Sequence, residues 1–172
     1  TGQDCSLGLD SKQEPHISYG AVGDLMYAHY YASSWHNATV EAVGWVGEHT
    51  SLALDSGDMP HITYWDSGNR AVRYARRSGA FWQTEVVESA IDITDGTSLV
   101  LDSAGRPHIS YRAHSGDGLH YARFDGAQWQ IAIVDPTGYT GSWGYHSSLA
   151  LDAANHPHIS HAAGGLWYSY SD

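Results

Sequence analysis

A stretch of fourteen residues occurs four times in this chain, at Ser6–Tyr19, Ser51–Tyr64, Ser98–Tyr111 and Ser148–His161. The third copy reads S-L-V-L-D-S-A-G-R-P-H-I-S-Y. Self-similarity at a fixed period means that each copy is one supersecondary unit, which buries its apolar face against its neighbours. Each copy opens on L-x-L-D, at Leu7–Asp10, Leu52–Asp55, Leu99–Asp102 and Leu149–Asp152. Alternation puts both leucines on one face of a strand and a small residue on the other, which suits a strand packed on both faces. A tight turn follows, with Gln13, Asp58, Gly105 or Asn155 at its third position after the Asp. All but Gln13 readily take a left-handed backbone.

Pro15, Pro60, Pro107 and Pro157 then open a second strand, H-I-S/T-Y, in which His161 replaces the last Tyr. At a strand's first position the missing N–H is tolerated. A third strand carries L-x-Y-A or V-x-Y-A at Leu25–Ala28, Val72–Ala75 and Leu119–Ala122, and becomes Leu166–Ser169 in the last copy. Seven residues further on, Trp35, Trp82 and Trp129 begin a fourth strand ending in Val40-Glu41, Val87-Glu88 and Val134-Asp135. Asp125-Gly126 is a hairpin-turn signal between the third and fourth strands.

The prolines are spaced by 45, 47 and 50 residues. Four-stranded units of this length predict an all-β fold, a β-propeller of four repeats with mostly four antiparallel strands each. No stretch has the capped 3.6-residue period of a helical solenoid. The expectation is a single domain over residues 1–172, with repeats at about 5–49, 50–96, 97–146 and 147–172. The last blade lacks its outer strand, because Asp172 aligns with Asp125. An unpaired edge there suits assembly with other copies.

The S-L-A-L-D-S-x-G-x-P-H-I-S-Y unit, followed by L-x-Y-A and G-x-x-W, resembles a tandem propeller repeat of secreted microbial proteins over residues 5–172. More loosely, Ile62–Trp82 (I-T-Y-W-D-S-G-N-R-A-V-R-Y-A-R-R-S-G-A-F-W) is similar to a blade of the fucose-binding propeller lectins. That resemblance implies sugar binding. Those lectins hold sugar with an Arg on the second strand, a Glu on the third and an aromatic of the neighbouring blade. Here Thr63 and Ser110 stand at the Arg position, and the third strands offer Arg73-Tyr74 or His120-Tyr121 without a Glu. The lectin's residue set is therefore not carried over. The arginine triad and Asp-box of sialidases are also absent.

Composition narrows the function. A net charge of −11 excludes a nucleic-acid groove, which needs clustered Lys and Arg. Arg70, Arg73, Arg76 and Arg77 are read as one solvated patch. No apolar run approaches the roughly 18 residues of a membrane span. Thr1, with no initiator Met and no signal-like segment, predicts a processed chain or part of a longer one, and the resemblance to repeats of secreted microbial proteins implies an extracellular or cell-surface location. Cys5, the single cysteine, aligns with Thr50, Thr97 and Ser147 and is expected to be small and buried. Asn37-Ala38-Thr39 is a glycosylation sequon on an outer strand.

The repeated His16, His61, His108 and His158 are read as structural, each bonded to its Asp-bearing turn or a neighbouring blade. His156 and His158 share a face while His161 points to the other, so no metal site is assigned. With no G-x-S-x-G elbow, no reactive-Cys signature and the repeat Asp residues capping turns, no catalytic residue and no cofactor is assigned. Function is sought in what does not repeat. The loops after the second and fourth strands carry Trp45 and His49, Trp65 and Asp66, then His114, and finally Trp143, Tyr145 and His146. Aromatic rings beside polar donors suit a glycan or a protein hot spot. The expectation is a non-enzymatic extracellular module binding a glycan or other surface ligand. The alternative is a structural or adhesive subunit that assembles with copies of itself.

Overall fold

The computed structural model describes residues 4–93, 96–114, 118–136, 146–162 and 165–171. They form four antiparallel sheets, and no helix occurs among the described residues. The first sheet is β1 (Cys5–Leu9), β2 (Pro15–Ala21), β3 (Asp24–Tyr31) and β4 (Ser34–Glu41), in that order. The second is β5 (Val46–Leu54), β6 (Pro60–Asp66), β7 (Ala71–Ser78) and β8 (Phe81–Ser89). The third is β9 (Ser98–Leu101), β10 (Pro107–Ala113), β11 (Gly118–Phe124) and β12 (Trp129–Asp135). The last has three strands, β13 (Ser147–Leu151), β14 (Pro157–Ala162) and β15 (Leu166–Tyr170). These are the blades expected from the repeats, with strand counts of 4, 4, 4 and 3. Two compact units divide them, Thr1–Ala90 with two sheets and Ile91–Asp172 with the other two.

The repeat motif explains itself in hydrogen bonds. Asp10 Oδ1 accepts the backbone N–H of Lys12 at 2.9 Å and of Glu14 at 2.8 Å, closing the β1–β2 turn. Asp55, Asp102 and Asp152 do the same for Gly57 and Met59, Ala104 and Arg106, and Ala154 and His156. The left-handed residue in each turn is the expected one, Gln13 included, with φ of 65°, 61°, 74° and 67° from first to last.

The Val-Glu and Val-Asp pairs mark β-bulges. Leu25 pairs with Glu41 but Met26 with Thr39, leaving Val40 as the extra residue. Val87 and Val134 are the extra residues in the second and third sheets. A bulge lets two successive residues turn the same way. In the first and third sheets the valine then packs on the core while the acid after it turns toward the next blade's second strand. There Glu41 accepts the hydroxyl proton of Tyr64, and Asp135 lies 3.9 Å from His161 Nδ1.

Within each unit the motif's polar residues join one sheet to the next. In the first, the Leu52 N–H donates to Ser6 Oγ at 3.0 Å and Thr50 Oγ1 donates to Ser18 Oγ at 2.8 Å. Ser11 donates its N–H and its hydroxyl to the Asp58 carboxylate at 2.8 and 2.6 Å. In the second, Leu149 N–H to Ser98 Oγ, Ser110 with Ser147, and Ser103 with Asn155 repeat the pattern. Leu25, Tyr27, Val40, Val46, Leu52, Ile62, Tyr64 and Ala75 form the first unit's core. Leu119, Tyr121, Leu149 and Ile159 form a core cluster of the second unit.

Two expectations need correcting. Cys5 is exposed, and Leu7 and Leu9 are 64% and 54% exposed. Within its unit no sheet precedes β1, whereas the first sheet precedes β5 and covers Thr50 and Leu52. The arginine patch is also not uniformly solvated. Arg73 is drawn inward, with Nη2 3.2 Å from Glu41 Oε1 and Nη1 3.5 Å from the buried Asp66 Oδ2.

Candidate functional site

The repeated histidines each sit between a tyrosine and an aspartate. His16 Nδ1 and His108 Nδ1 lie 2.5 Å from the hydroxyls of Tyr27 and Tyr121, and His61 and His158 pair in the same way with Tyr74 and Tyr168. Their Nε2 atoms face Asp10, Asp55, Asp102 and Asp152 at 3.6, 3.5, 3.7 and 3.8 Å. Burial pushes the pKa of His16, His61 and His108 down, and the facing aspartates do not restore it. These imidazoles are neutral near pH 7. Burial also pushes Tyr27 and Tyr121 up to about 12, which keeps their hydroxyls protonated. The Asp–His–Tyr arrangement recurs in all four sheets, which marks it as part of the repeat, and its tyrosine partner was hidden because it lies on a different strand.

A different geometry surrounds Trp45. Its carbonyl accepts the Ser67 N–H at 2.9 Å, and the next N–H, of Val46, donates to Gly23 O at 2.9 Å. The backbone is thus held from both the β6–β7 loop and the β2–β3 turn. Its indole packs over Gly23, yet the residue is 64% exposed. Below it the two sheets approach so closely that a side chain on Gly47, at φ 90°, would meet Asp24 O and Leu25 Cα at 2.9 Å. Gly20, Ala21, Val22 and Gly23 form one wall of a cleft of about 210 Å³; Trp45, Val46, Gly47 and Glu48 form the other. Val22 and Gly23 are the two loop residues of a hairpin and both have positive φ, 53° and 89°. A β-branched residue in that region costs of order 1–3 kcal/mol, and such strain gathers at ligand sites. Val22 is exposed at the cleft's lip.

The other residues singled out in the sequence divide by unit. His49 stacks on Trp65 with ring centroids 5.9 Å apart, and its N–H donates to Asp4 Oδ2 at 3.0 Å. Asp66 is fully buried and accepts from Asn69 N and Nδ2, both at 2.9 Å. It holds the loop on which Trp45 rests. In the second unit, the exposed His114 donates its N–H to Asp92 O at 2.7 Å, and the exposed His146 lies beside Gly96. Trp143 and Tyr145 lie outside the described residues. Asn37 is exposed on β4. Sequence reasoning placed Glu48 beside Trp45 and His49 in the connection after the fourth strand, and missed the Gly20–Gly23 wall, whose signal was a Gly-rich hairpin in the same repeat as the Trp-bearing connection.

The second unit has a larger cleft, about 520 Å³, where Tyr121, Ile133, His156 and Tyr170 meet. In the first unit the corresponding tyrosine, Tyr27, is covered by Trp82 of the next sheet's outer strand, with rings 5.2 Å apart. Among the described residues the last sheet has no such strand.

No protein-family profile matches the chain, and no curated protein matches it in sequence. Solved structures do match. A fucose lectin from Kordia zhangzhouensis, in complex with methyl-fucoside, is 18% identical with a TM-score of 0.53, covering 75% of this chain and 97% of its own. An arginine-to-alanine triple mutant of AofleA from Arthrobotrys oligospora is 12% identical with a TM-score of 0.70, covering 98% of this chain. An exo-β-1,3-galactanase from Phanerochaete chrysosporium is 12% identical with a TM-score of 0.59, covering 99%. The chain spans 56% of the AofleA chain and 45% of the galactanase chain. These likenesses define the fold as a β-propeller, one shared by lectins and carbohydrate-active enzymes.

Proposed function

We propose that this chain is a non-enzymatic glycan-binding propeller, a single domain acting outside the cell or at its surface, whose site is the cleft beneath Trp45. The observation that carries this reading is the clamped, exposed indole opposite a glycine wall, with Glu48 in the lining. An indole face packs against the C–H face of a sugar ring, and a carboxylate accepts its hydroxyls. The cleft is smaller than the roughly 300–1,000 Å³ of drug-sized sites, which suits one sugar ring. Glycoside hydrolysis uses two carboxyl groups about 5–10 Å apart. Among the described residues the lining supplies one, Glu48. The fucose lectin among the similar folds is consistent with a sugar ligand.

A glycan array identifies the sugar, and calorimetry then compares variants. Trp45→Ala is expected to weaken binding at least about 30-fold, the loss of roughly 2 kcal/mol of ring contact. Unchanged affinity in Trp45→Ala would remove this cleft as the site.

A second reading, an adhesive subunit that assembles with its own copies, is favoured by β15. Trp167, Tyr168 and Tyr170 are exposed on that edge strand beside the larger cleft. Unpaired strand edges recruit further strands. This reading expects concentration-dependent oligomers in sedimentation velocity, and a monomer at every concentration defeats it.

A further inference from the structure

We propose that the first sheet holds a divalent transition-metal ion, Zn²⁺ by its chemistry, between the imidazoles of His16 and His29 and the carboxylates of Asp10 and Glu14. The site lies at the β1–β2 turn, at the other end of the sheet from the Trp45 cleft, and does not rest on the glycan reading.

The register creates it. His16 on β2 stands directly opposite His29 on β3. In the other sheets the residue opposite the repeat histidine is Arg76, Arg123 or Tyr170. Glu14, too, has no acidic counterpart, since Met59, Arg106 and His156 stand at its position. In the third and last sheets the side chain at Glu14's position bonds the repeat aspartate instead. Arg106 Nε donates to Asp102 Oδ2 at 2.7 Å, and His156 Nδ1 lies 3.1 Å from Asp152 Oδ2. The first sheet instead places a second imidazole and a second carboxylate beside Asp10.

The donor atoms converge. Asp10 Oδ1 is occupied by its turn, so Oδ2 faces His16 Nε2 at 3.6 Å and His29 Nε2 at 3.9 Å. Glu14 Oε2 is 3.9 Å from His29 Nε2. One donor atom each from Asp10, His16 and His29 lies within 4.8 Å of the others, and the two imidazole centroids are 3.7 Å apart. A tetrahedral Zn²⁺ with bonds of about 2.0–2.2 Å sets its ligand atoms roughly 3.3–3.6 Å apart; the two His–Asp10 distances are within a few tenths of an ångström of that, and Glu14 swings in from its place beside His29 as the fourth ligand.

Both Nε2 atoms are buried and neither has a hydrogen-bond partner. His16 as a residue is 3% exposed, so its unpartnered nitrogen is costly unless something binds it. A metal binds the neutral imidazole. Two neutral imidazoles and two carboxylates leave a charge that a divalent cation cancels.

The outer partner is in place as well. A metal on His16 Nε2 requires the proton on Nδ1, and the Tyr27 oxygen 2.5 Å away can accept it. Such a bond fixes the tautomer and ring orientation of a metal-bound histidine. Imidazole donors favour Zn²⁺ and its transition-metal neighbours over Mg²⁺ and Ca²⁺.

The test is calorimetric titration of the full chain, stripped with EDTA and dialysed free of it, with ZnCl₂ at pH 7.5. One equivalent of Zn²⁺ is expected to bind, with no heat from MgCl₂. His29→Arg and Glu14→Met install residues that sibling sheets carry at those positions, so both variants keep the fold. His29→Arg is expected to weaken binding at least about 100-fold and Glu14→Met about 10-fold, while His36→Ala binds as wild type. Tetrahedral Co²⁺ absorption in the visible, lost in His29→Arg, is the spectroscopic counterpart. Absence of a Zn²⁺ equivalent in the wild type, or wild-type affinity in both His29→Arg and Glu14→Met, overturns the proposal.

Discussion

Gly118→Ala is expected to unfold the second unit, or at least to cost it more than about 3 kcal/mol. Gly118 opens β11 at φ 85°, a region that carries a penalty for any Cβ. Space makes the larger difference. The added methyl carbon would lie 1.9 Å from Asp135 O and 3.0 Å from Asp135 C, at the end of the neighbouring strand. Backbone atoms cannot rotate away as a side chain can. β12 would have to leave the sheet at this point, taking Asp135 away from His161 with it. Gly126→Ala is the control, because Gly126 has φ 107° but nothing within 4 Å of a Cβ. It should cost about 1 kcal/mol, the backbone penalty without the collision. Urea unfolding of the two variants decides the matter, and equal midpoints would show that β12 is not held where the structure places it.

Asp102→Ala is expected to cost roughly 2–4 kcal/mol, although Asp102 belongs to a surface turn. Its carboxylate accepts the backbone N–H of Ala104 at 2.9 Å, of Arg106 at 2.8 Å, and the Arg106 side chain at 2.7 Å. Alanine leaves those donors with water at best and His108 Nε2 facing a void. Asp102→Asn keeps an oxygen for the two backbone donors and should lose only about half as much. The two variants also separate by pH. Burial works against the charge of Asp102, but Arg106 and Ala104 outweigh it and hold its carboxyl below the usual 3.8. The unfolded state therefore binds the proton first as pH falls. This contribution is complete above about pH 4 and is lost as pH drops through the folded-state pKa. Stability curves of wild type and Asp102→Asn should converge in that acid range, and parallel curves would contradict the assignment.

The strands and their order were legible because each left a local mark. Leucines alternate before Asp10 and its copies, proline opens each second strand, and tryptophan starts each outer one. The Val-Glu pair was visible as a motif while its bulge was not, since an extra residue shows itself only against a partner strand. Burial at the chain's first strand was misjudged for Cys5 by analogy with Thr50, because equal sequence position does not give an equal number of neighbours. Trp45 was singled out as a loop aromatic, and the Gly20–Gly23 wall opposite it lies two strands, β3 and β4, earlier in the chain. His29 escaped notice altogether. It sits outside the fourteen-residue stretch, and its meaning depends on standing across a ladder from His16.

The seams between sheets bear on how such a chain can change over time. Ser6, Ser11 and Ser18 each complete a bond with a residue of the following repeat, Leu52, Asp58 and Thr50. Ser98, Ser103 and Ser110 do the same with Leu149, Asn155 and Ser147. A repeat is therefore legible to its neighbour only if it keeps the shared spelling, and a copy that drifts alone loosens the seam with its partner. The Asp58 and Asn155 alternatives show the latitude allowed: both accept the serine N–H, but Asp58 also accepts the Ser11 hydroxyl whereas Asn155 Nδ2 donates to the Ser103 hydroxyl. Duplication of a whole repeat brings its own clasps with it, whereas a graft cut at mid-repeat severs them. A designer lengthening or shortening this chain should cut in the connections that carry Trp45 and Pro136, never inside the fourteen residues.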